Sequence, residues 1–334
     1  MSSVREIARR TGVSITTVSR VLNNHPSVSE QVRDRVMAAA NRSRYVAPVG
    51  RRATDNIAFV CLGEPSLGSP FDGAILQGMS RGLDDAGLDL VVLNARRGRA
   101  AGETFAQWFM RKGVRGAVIR TTTETRDLCL QLAAEGFPAV VVADRLDHPR
   151  LACVSSDATA ACTRAVEHLI HLGHRRIGVT LNIVDDHDHL QRLDAYRAAM
   201  QGAGLPVDER LVLRVPAFRG AGSQGLRLIM GMPDRPTAVF VTDPMAAVGM
   251  FHEAQRTGVS IPRDLSVVGF DDTEQRLSVF PRMSAVCQDA EALGRAAFDA
   301  LQQLLAGRHA ADATAAAPDC WLELHDSTAP PPVV

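Results

Sequence analysis

Gly12-Val13-Ser14-Ile15-Thr16-Thr17-Val18-Ser19-Arg20-Val21-Leu22-Asn23 decides how the chain opens. Gly12 suits the left-handed position at which a helix ends in a tight turn. Ser14 is a helix N-cap residue, and Val18, Val21 and Leu22 recur at the spacing of one buried helix face. Upstream, Val4, Ile7 and Ala8 form the apolar face of a short first helix, with Ser3 as its candidate cap. Downstream, Asn23-Asn24-His25-Pro26 breaks the second helix. Ser29 then caps a third, from Glu30 to Arg42, with Val32, Val36 and Ala39 or Ala40 facing inward. Three short helices with a glycine turn between the first two predict a helix-turn-helix unit over residues 1–45. Its second helix shows Ile15, Thr16, Thr17, Ser19 and Arg20 on the outside, flanked by Ser14 and Asn23. Small side chains at a helix N-terminus fit a major groove, and an arginine reaches guanine edges or phosphate. Hydroxyls and helix N-termini hold phosphates. A three-helix protein-interaction module is the other reading of the same pattern.

Charge supports the first reading. The chain as a whole is neutral, with 37 basic and 37 acidic residues, but residues 1–56 hold ten arginines against four acids. A head of +6 on a body of −6 points to a polyanionic partner for the head. Hydrophobic residues make up 46% of the 334 positions and charged ones 22%, the composition of globular domains. No apolar run of 18 residues and no apolar N-terminal segment occurs, so neither a membrane span nor a secretory signal is expected, and a cytoplasmic protein is. The six cysteines are scattered without a Cys-x-x-Cys pair, which argues against a disulfide framework or structural zinc.

The string Arg5-Glu6-Ile7-Ala8…Gly12-Val13-Ser14-Ile15-Thr16-Thr17-Val18-Ser19-Arg20-Val21-Leu22-Asn23…Val28-Ser29…Arg33…Val36…Ala39-Ala40…Tyr45 closely resembles the head of the lactose-repressor/galactose-repressor (LacI/GalR) family. The resemblance implies that Ile15, Thr16 and Arg20 read bases while Thr17, Ser19 and nearby backbone hold phosphates. It also implies a homodimer that sets two recognition helices one DNA turn apart, about 34 Å, on a near-palindromic operator in double-stranded DNA. In the hinge, residues 46–56, the chain departs from the family. Relatives carry a helix with a leucine that wedges into the minor groove. Here Val46-Ala47-Pro48-Val49-Gly50-Arg51-Arg52-Ala53 is shorter, lacks a leucine and holds a glycine that costs a helix about 1 kcal/mol. Arg51 and Arg52 remain as contacts to phosphate or a narrow minor groove, and weaker operator bending than in relatives is expected.

From Ile57 onward apolar runs alternate with helical patterns. Strands are expected at 56–62, 88–94, 116–120, 139–143, 152–155, 176–181, 238–241 and 265–269. Helices are expected at 74–86, 158–172, 190–203, 245–257 and 290–306. The alternation predicts parallel sheets with helices on both faces, and 57–330 is long enough for two lobes, 57–156 plus 286–316 and 157–285 plus 317–330. Ligands of such sheets sit beyond the carboxyl ends of the strands, so the cleft between lobes is the expected site. The resemblance continues here, through Glu167-His168-Leu169-Ile170…Leu172-Gly173-His174-Arg175-Arg176-Ile177, Arg235-Pro236-Thr237-Ala238-Val239-Phe240, Ile261-Pro262-Arg263-Asp264-Leu265-Ser266-Val267-Val268-Gly269-Phe270-Asp271-Asp272 and Gln288. It implies an α/β body like periplasmic sugar-binding proteins, a dimerisation surface, and effector contacts at Phe71, Asp144, Arg145, Arg192, Thr242, Asp243, Asp271 and Gln288. An aromatic face ringed by carboxylates and an arginine suits a carbohydrate. Thr242 stands where relatives carry asparagine, and for Asp144 and Asp271 simple capping of the next turn is the competing reading.

Three further motifs compete. Gly220-Ala221-Gly222-Ser223-Gln224-Gly225 matches a dinucleotide-binding loop, but it lies deep in the chain, and a flexible loop is the plainer expectation. His168, His171 and His174 are spaced by three across a helix end. Asp185-Asp186-His187-Asp188-His189 gathers hard and borderline ligands in what reads as a loop, fit for a cation or a basic or hydroxylated effector. Neither a Gly-x-Ser-x-Gly elbow nor a His-Glu-x-x-His appears, so neither catalysis, cofactor nor metal is expected. The sequence therefore predicts an effector-controlled DNA-binding regulator, a repressor in the first instance. A nucleobase- or nucleotide-responsive relative, a solute-binding protein and a nucleotide-dependent enzyme stay as alternatives.

Overall fold

The computed structural model describes residues 4–22, 27–42, 54–61, 68–95, 99, 102–313, 315 and 317–332. Asn23, Arg51, Arg52 and the hinge through residue 53 lie outside the described residues, as does the expected cap Ser3.

The first three helices, α1 (Val4–Thr11), α2 (Ile15–Leu22) and α3 (Glu30–Arg42), pack around their own core of Ile7, Ala8, Val18, Val21, Leu22, Val36, Ala39 and Ala40. Gly12 takes the left-handed conformation with φ of 66°, which lets α2 start after the short turn Gly12-Val13-Ser14. Thr11 closes α1 by donating its hydroxyl to the Ile7 carbonyl at 2.7 Å.

The rest divides into two compact units. The first holds residues 76–154 and 294–316 besides the N-terminal part of the chain, and the second holds 67–75, 155–293 and 317–334. In the first, β1 (Asn56–Cys61), β2 (Asp89–Asn94), β3 (Val114–Arg120), β4 (Ala139–Val142) and β5 (Ala152–Val154) form a fully parallel sheet in the order β2-β1-β3-β4-β5. One face is covered by α5 (Phe105–Arg111) and α6 (Arg126–Glu135), whose Phe105, Trp108 and Phe109 stack with Phe137 in an aromatic layer. The other receives α4 (Pro70–Ala86) and α11 (Ala290–Leu305). Gly82 leaves room for the Phe298 ring, which a Cβ would meet at 2.3 Å.

The second unit is built on β6 (Ile177–Leu181), β7 (Val212–Arg214), β8 (Ala238–Val241), β9 (Ser266–Asp271), β10 (Ser284–Cys287) and β11 (Trp321–Glu323), in the order β11-β10-β9-β8-β6-β7. All pairs are parallel except β10 with β11. Helices α7 (Thr159–His171) and α8 (His187–Gly202) fill one face, and α9 (Arg219–Met230) and α10 (Pro244–Thr257) the other. Strands buried on both faces read as unbroken apolar runs, which is why β6, β8 and β9 stand out in sequence while the short edge pieces β7 and β11 do not.

Two sequence readings are corrected here. The glycine string 220–225 is no loop: it forms the first two turns of α9. A Cβ on Gly222 would meet the Ala246 carbonyl oxygen at 1.9 Å, and one on Gly249 the Arg219 oxygen at the same distance. These glycines let two helix backbones touch, and no phosphate cradle remains. The acidic and histidine-rich stretch is likewise not a loop, because α8 starts at His187 with Asp186 as its cap. Of the spaced histidines, His168 binds Thr328 and His174 bridges Thr237 and the Ala329 carbonyl, pinning the C-terminal segment onto the unit.

Candidate functional site

The head presents its second helix outward. Ser14 caps α2, accepting from the Thr17 amide at 3.0 Å, and its hydroxyl also lies 2.9 Å from the Thr17 hydroxyl. Both hydroxyls are thus tied into the cap. Ile15 is 51% exposed, and Thr16, Ser19 and Arg20 are exposed beside it, while Val18, Val21 and Leu22 are buried behind them. Positions 15, 16, 19 and 20 share one side of a helix. An uncapped apolar side chain standing in water next to two hydroxyls and a guanidinium is a surface that gains from being covered.

In the body the expected effector residues separate by how far their polar atoms are already committed. Asp144, in the first unit, is fully buried at the end of β4, where Ala143 takes a left-handed φ of 58°. Its carboxylate accepts two bonds from the Arg126 guanidinium, at 3.0 and 2.6 Å, and one from the Arg145 amide at 2.8 Å. Arg145 itself points its side chain outward and is exposed. Asp271, in the second unit, is equally buried. Its Oδ1 accepts from the amides of Thr273 and Gln275, and its Oδ2 from the amide and guanidinium of Arg276. Arg276 is completed by Glu323. Asp271 thus holds its own turn with both oxygens engaged, the geometry of the capping alternative, and Asp144 accepts three bonds from Arg126 and Arg145. The Thr242 hydroxyl donates to the Thr180 carbonyl at 2.7 Å, and Asp243 caps α10 through the Ala246 amide. Phe71 lies half-buried in the first turn of α4, and the buried Gln288 follows β10, its amide on the Asp271 carbonyl.

Arg192 is different. It is only 5% exposed, donates Nη1 to the Thr242 carbonyl at 2.7 Å, and lies with its guanidinium carbon 3.5 Å from the centre of the Phe270 ring. Its Nε is buried without a hydrogen-bond partner. Burial works against its charge, but Asp188 and Asp272 outweigh this and hold it more firmly protonated than an ordinary arginine. Other buried polar atoms of the second unit also lack partners: Asp272 Oδ1, Thr273 Oγ1, His187 Nε2, His189 Nε2, Ser156 Oγ and Thr180 Oγ1. Folding leaves such atoms bare at a cost, so each is a candidate contact for another molecule. Desolvation pushes the Asp272 carboxyl up to about 7, against Arg192, and Asp243, Asp271 and Asp188 add to the rise. Neither Asp272 nor Thr273 stood out in the sequence reading. The doubled Asp271-Asp272 after a strand was the available signal, since neighbouring side chains leave a strand end in different directions. Among the described residues no group of three or more His, Cys, Asp or Glu is placed to hold a metal ion, and no helix is long and apolar enough to cross a membrane.

A helix-turn-helix followed in the chain by two parallel-sheet units is the build of a bacterial DNA-binding transcriptional regulator with a periplasmic-binding-protein-like body. Comparison with known proteins agrees. Residues 3–47 match the model for bacterial regulatory proteins of the lacI family, and residues 166–328 that for a periplasmic binding protein-like domain. The chain is 31% identical to the transcriptional regulator GntR of Pseudomonas aeruginosa, over 93% of this chain and 91% of that one. It is 27% identical to the transcriptional repressor CytR of Escherichia coli, over 98% and 96%. Among solved structures, the regulator CelR in complex with cellobiose is similar with a TM-score of 0.70 and 26% identity, covering 98% of this chain and all of that one. The chain belongs to the LacI family of bacterial regulatory proteins.

Proposed function

We infer that this regulator is a repressor that acts as a homodimer on a near-palindromic operator and changes its grip when a small polar molecule occupies the second unit. The observation that carries the reading is the outer face of α2: Ile15, Thr16, Ser19 and Arg20 exposed over a buried Val18-Val21-Leu22 stripe. In a major groove Ile15 covers a thymine methyl, Thr16 and Arg20 meet base edges, and Ser19 meets phosphate. Exposed Arg5, Arg9 and Arg10 add positive charge on α1. The division of the chain into a head of 1–45, a hinge of 46–56 and an effector-binding and dimerising body of 57–330 follows from this reading.

For the effector, a carbohydrate or sugar derivative fits a cluster of arginine, carboxylate and hydroxyl groups beside an aromatic ring, and the likeness to a cellobiose-binding regulator supports it. Arg192, Asp272, Thr273 and His189 supply the free polar atoms. Phe71, Asp243 and Gln288 complete the proposed set in the second unit. Coupling between ligand and DNA sites is typically worth about 1–3 kcal/mol.

The test is selection of genomic fragments by the full-length protein, followed by gel shifts across a salt series. Arg20→Ala is expected to weaken operator binding by about 10-fold or more and to relax selectivity, with stability changed by less than about 0.5 kcal/mol. Binding that is insensitive to salt, or indifferent to sequence, would sink the reading.

A further inference from the structure

We propose that Ile15 reads the 5-methyl group of a pyrimidine in the operator and not the base that carries it. At that step 5-methylcytosine then serves as well as thymine, and methylation of a cytosine there strengthens binding. This rests on the regulator reading, in which the outer face of α2 enters a major groove, and names what that face selects.

Among the described residues of the head, Ile15 is the one large apolar side chain that stands exposed, at 51%. It belongs neither to the three-helix core nor to the half-buried residues packed against that core. Its side chain has no donor and no acceptor. Thymine O4 and the cytosine N4 amino group are therefore alike to it, although they are opposite in hydrogen bonding. What it distinguishes is apolar area. A pyrimidine 5-methyl group in the major groove covers it, whereas the bare C5–H edge of uracil or cytosine leaves it in water.

The neighbouring side chains do not restore the discrimination that Ile15 lacks. The Ser14 hydroxyl accepts from the Thr17 amide at 3.0 Å and lies 2.9 Å from the Thr17 hydroxyl, so both are engaged in the cap. Thr16 and Ser19 stand exposed beside Ile15. Their hydroxyls both donate and accept, so a carbonyl oxygen and an amino group suit them equally. Arg20 is the obligate donor of this face, but it comes five residues after Ile15. That is about 7.5 Å along the helix axis, more than two base-pair steps of about 3.4 Å, so Arg20 meets a different pair. Phosphate contacts from the head are the same whichever base is present. The face therefore sorts the four pyrimidines into thymine with 5-methylcytosine and uracil with cytosine.

The experiment uses full-length protein and the operator fragment it selects. Each thymine of both half-sites, on either strand, is replaced singly by uracil, and affinity is read by gel shift at fixed salt. At a step that responds, the pair is then changed to cytosine–guanine and to 5-methylcytosine–guanine. Thymine against uracil, and 5-methylcytosine against cytosine, differ in the methyl group alone. One step in each half-site is expected to lose about 4-fold without the methyl, in both comparisons, and about 15-fold when both half-sites are changed. 5-Methylcytosine is expected to bind within about 2-fold of thymine. Ile15→Ala is expected to flatten both comparisons with the fold retained, since Ile15 lies outside the core. The base series on the natural protein decides even if the variant misfolds. The proposal is overturned if no thymine responds to uracil, if 5-methylcytosine binds no better than cytosine, or if the methyl preference survives in Ile15→Ala. Sequence-selective binding without a methyl effect removes this proposal alone. Absence of sequence-selective binding removes the regulator reading with it.

Discussion

The strand ends of the two units handle buried carboxylates in opposite ways. At the end of β4 in the first unit, Asp144 is enclosed by a forked bond from Arg126 and the amide of Arg145. Just past β9 in the second, Asp272 keeps a buried oxygen with no donor while Arg192 beside it keeps a bare Nε. Both carboxylates carry similar chemistry in the sequence. The first is finished by its own chain and stiffens a turn, and the second is left unfinished and has reactive capacity to spare. Asp271, one residue earlier, belongs with Asp144: it caps three amides and pairs with Arg276. Completion of a buried polar group is thus what separates scaffold from site in this body.

The contrast can be broken by substitution, with effects that should fall in a definite order. Asp271→Ala strips three amides and Arg276 of their acceptor, and a loss of about 3–5 kcal/mol is expected in denaturant unfolding. A loss under about 1 kcal/mol would put Asp271 among the unfinished groups. Asp144→Asn keeps the shape but removes the charge facing Arg126. About 2 kcal/mol is expected to be lost, concentrated in the first unit and visible as lower protection in hydrogen exchange there.

Asp272→Asn is expected to go the other way. The carboxyl is pushed up to about 7 in the fold from an ordinary 3.8. The native state therefore holds its proton more tightly than the unfolded chain. The stability cost of ionising it grows as pH rises from the ordinary carboxylate range and levels off beyond about 7. The amide variant should be more stable than the natural protein by about 1 kcal/mol at about pH 8, with the gain shrinking toward about pH 4. The charges acting on this group are Arg192 and Asp188 on α8, Asp243 at the start of α10 and Asp271 on β9, and none of them is altered in the variant. A gain that grew on acidification would reverse the assignment.

The sequence analysis read the three-helix head, both parallel sheets and most of their helices, because capping residues and apolar periodicity are local signals. It missed α5, α6, the edge strands β7 and β11 and the inner strand β10, which are short or lack clear periodicity. It took the glycines at 220, 222 and 225 for a loop, since nothing local tells a glycine needed for a turn from one needed for contact between α9 and α10. In the body it singled out Arg192 and Asp271, and it passed over Asp272, which carries the unpartnered buried oxygen. It also read the His187–His189 stretch as a loop, although Asp186 is a strong helix cap.

By itself the sequence determined the class of the protein: a capped helix with an exposed Ile-Thr…Ser-Arg edge, a basic head on an acidic body, and buried strands alternating with amphipathic helices. These follow from neighbours within a few residues, where spacing and side-chain type suffice. Only the tertiary structure decided which buried polar groups are satisfied. The partners of Asp144 and Arg192 come from residues 18 and 50 positions away, and those of Asp271 from a turn whose geometry is set by packing. Whether an oxygen is spent or available is a property of three-dimensional surroundings and not of residue type, and that property sets what the body can bind.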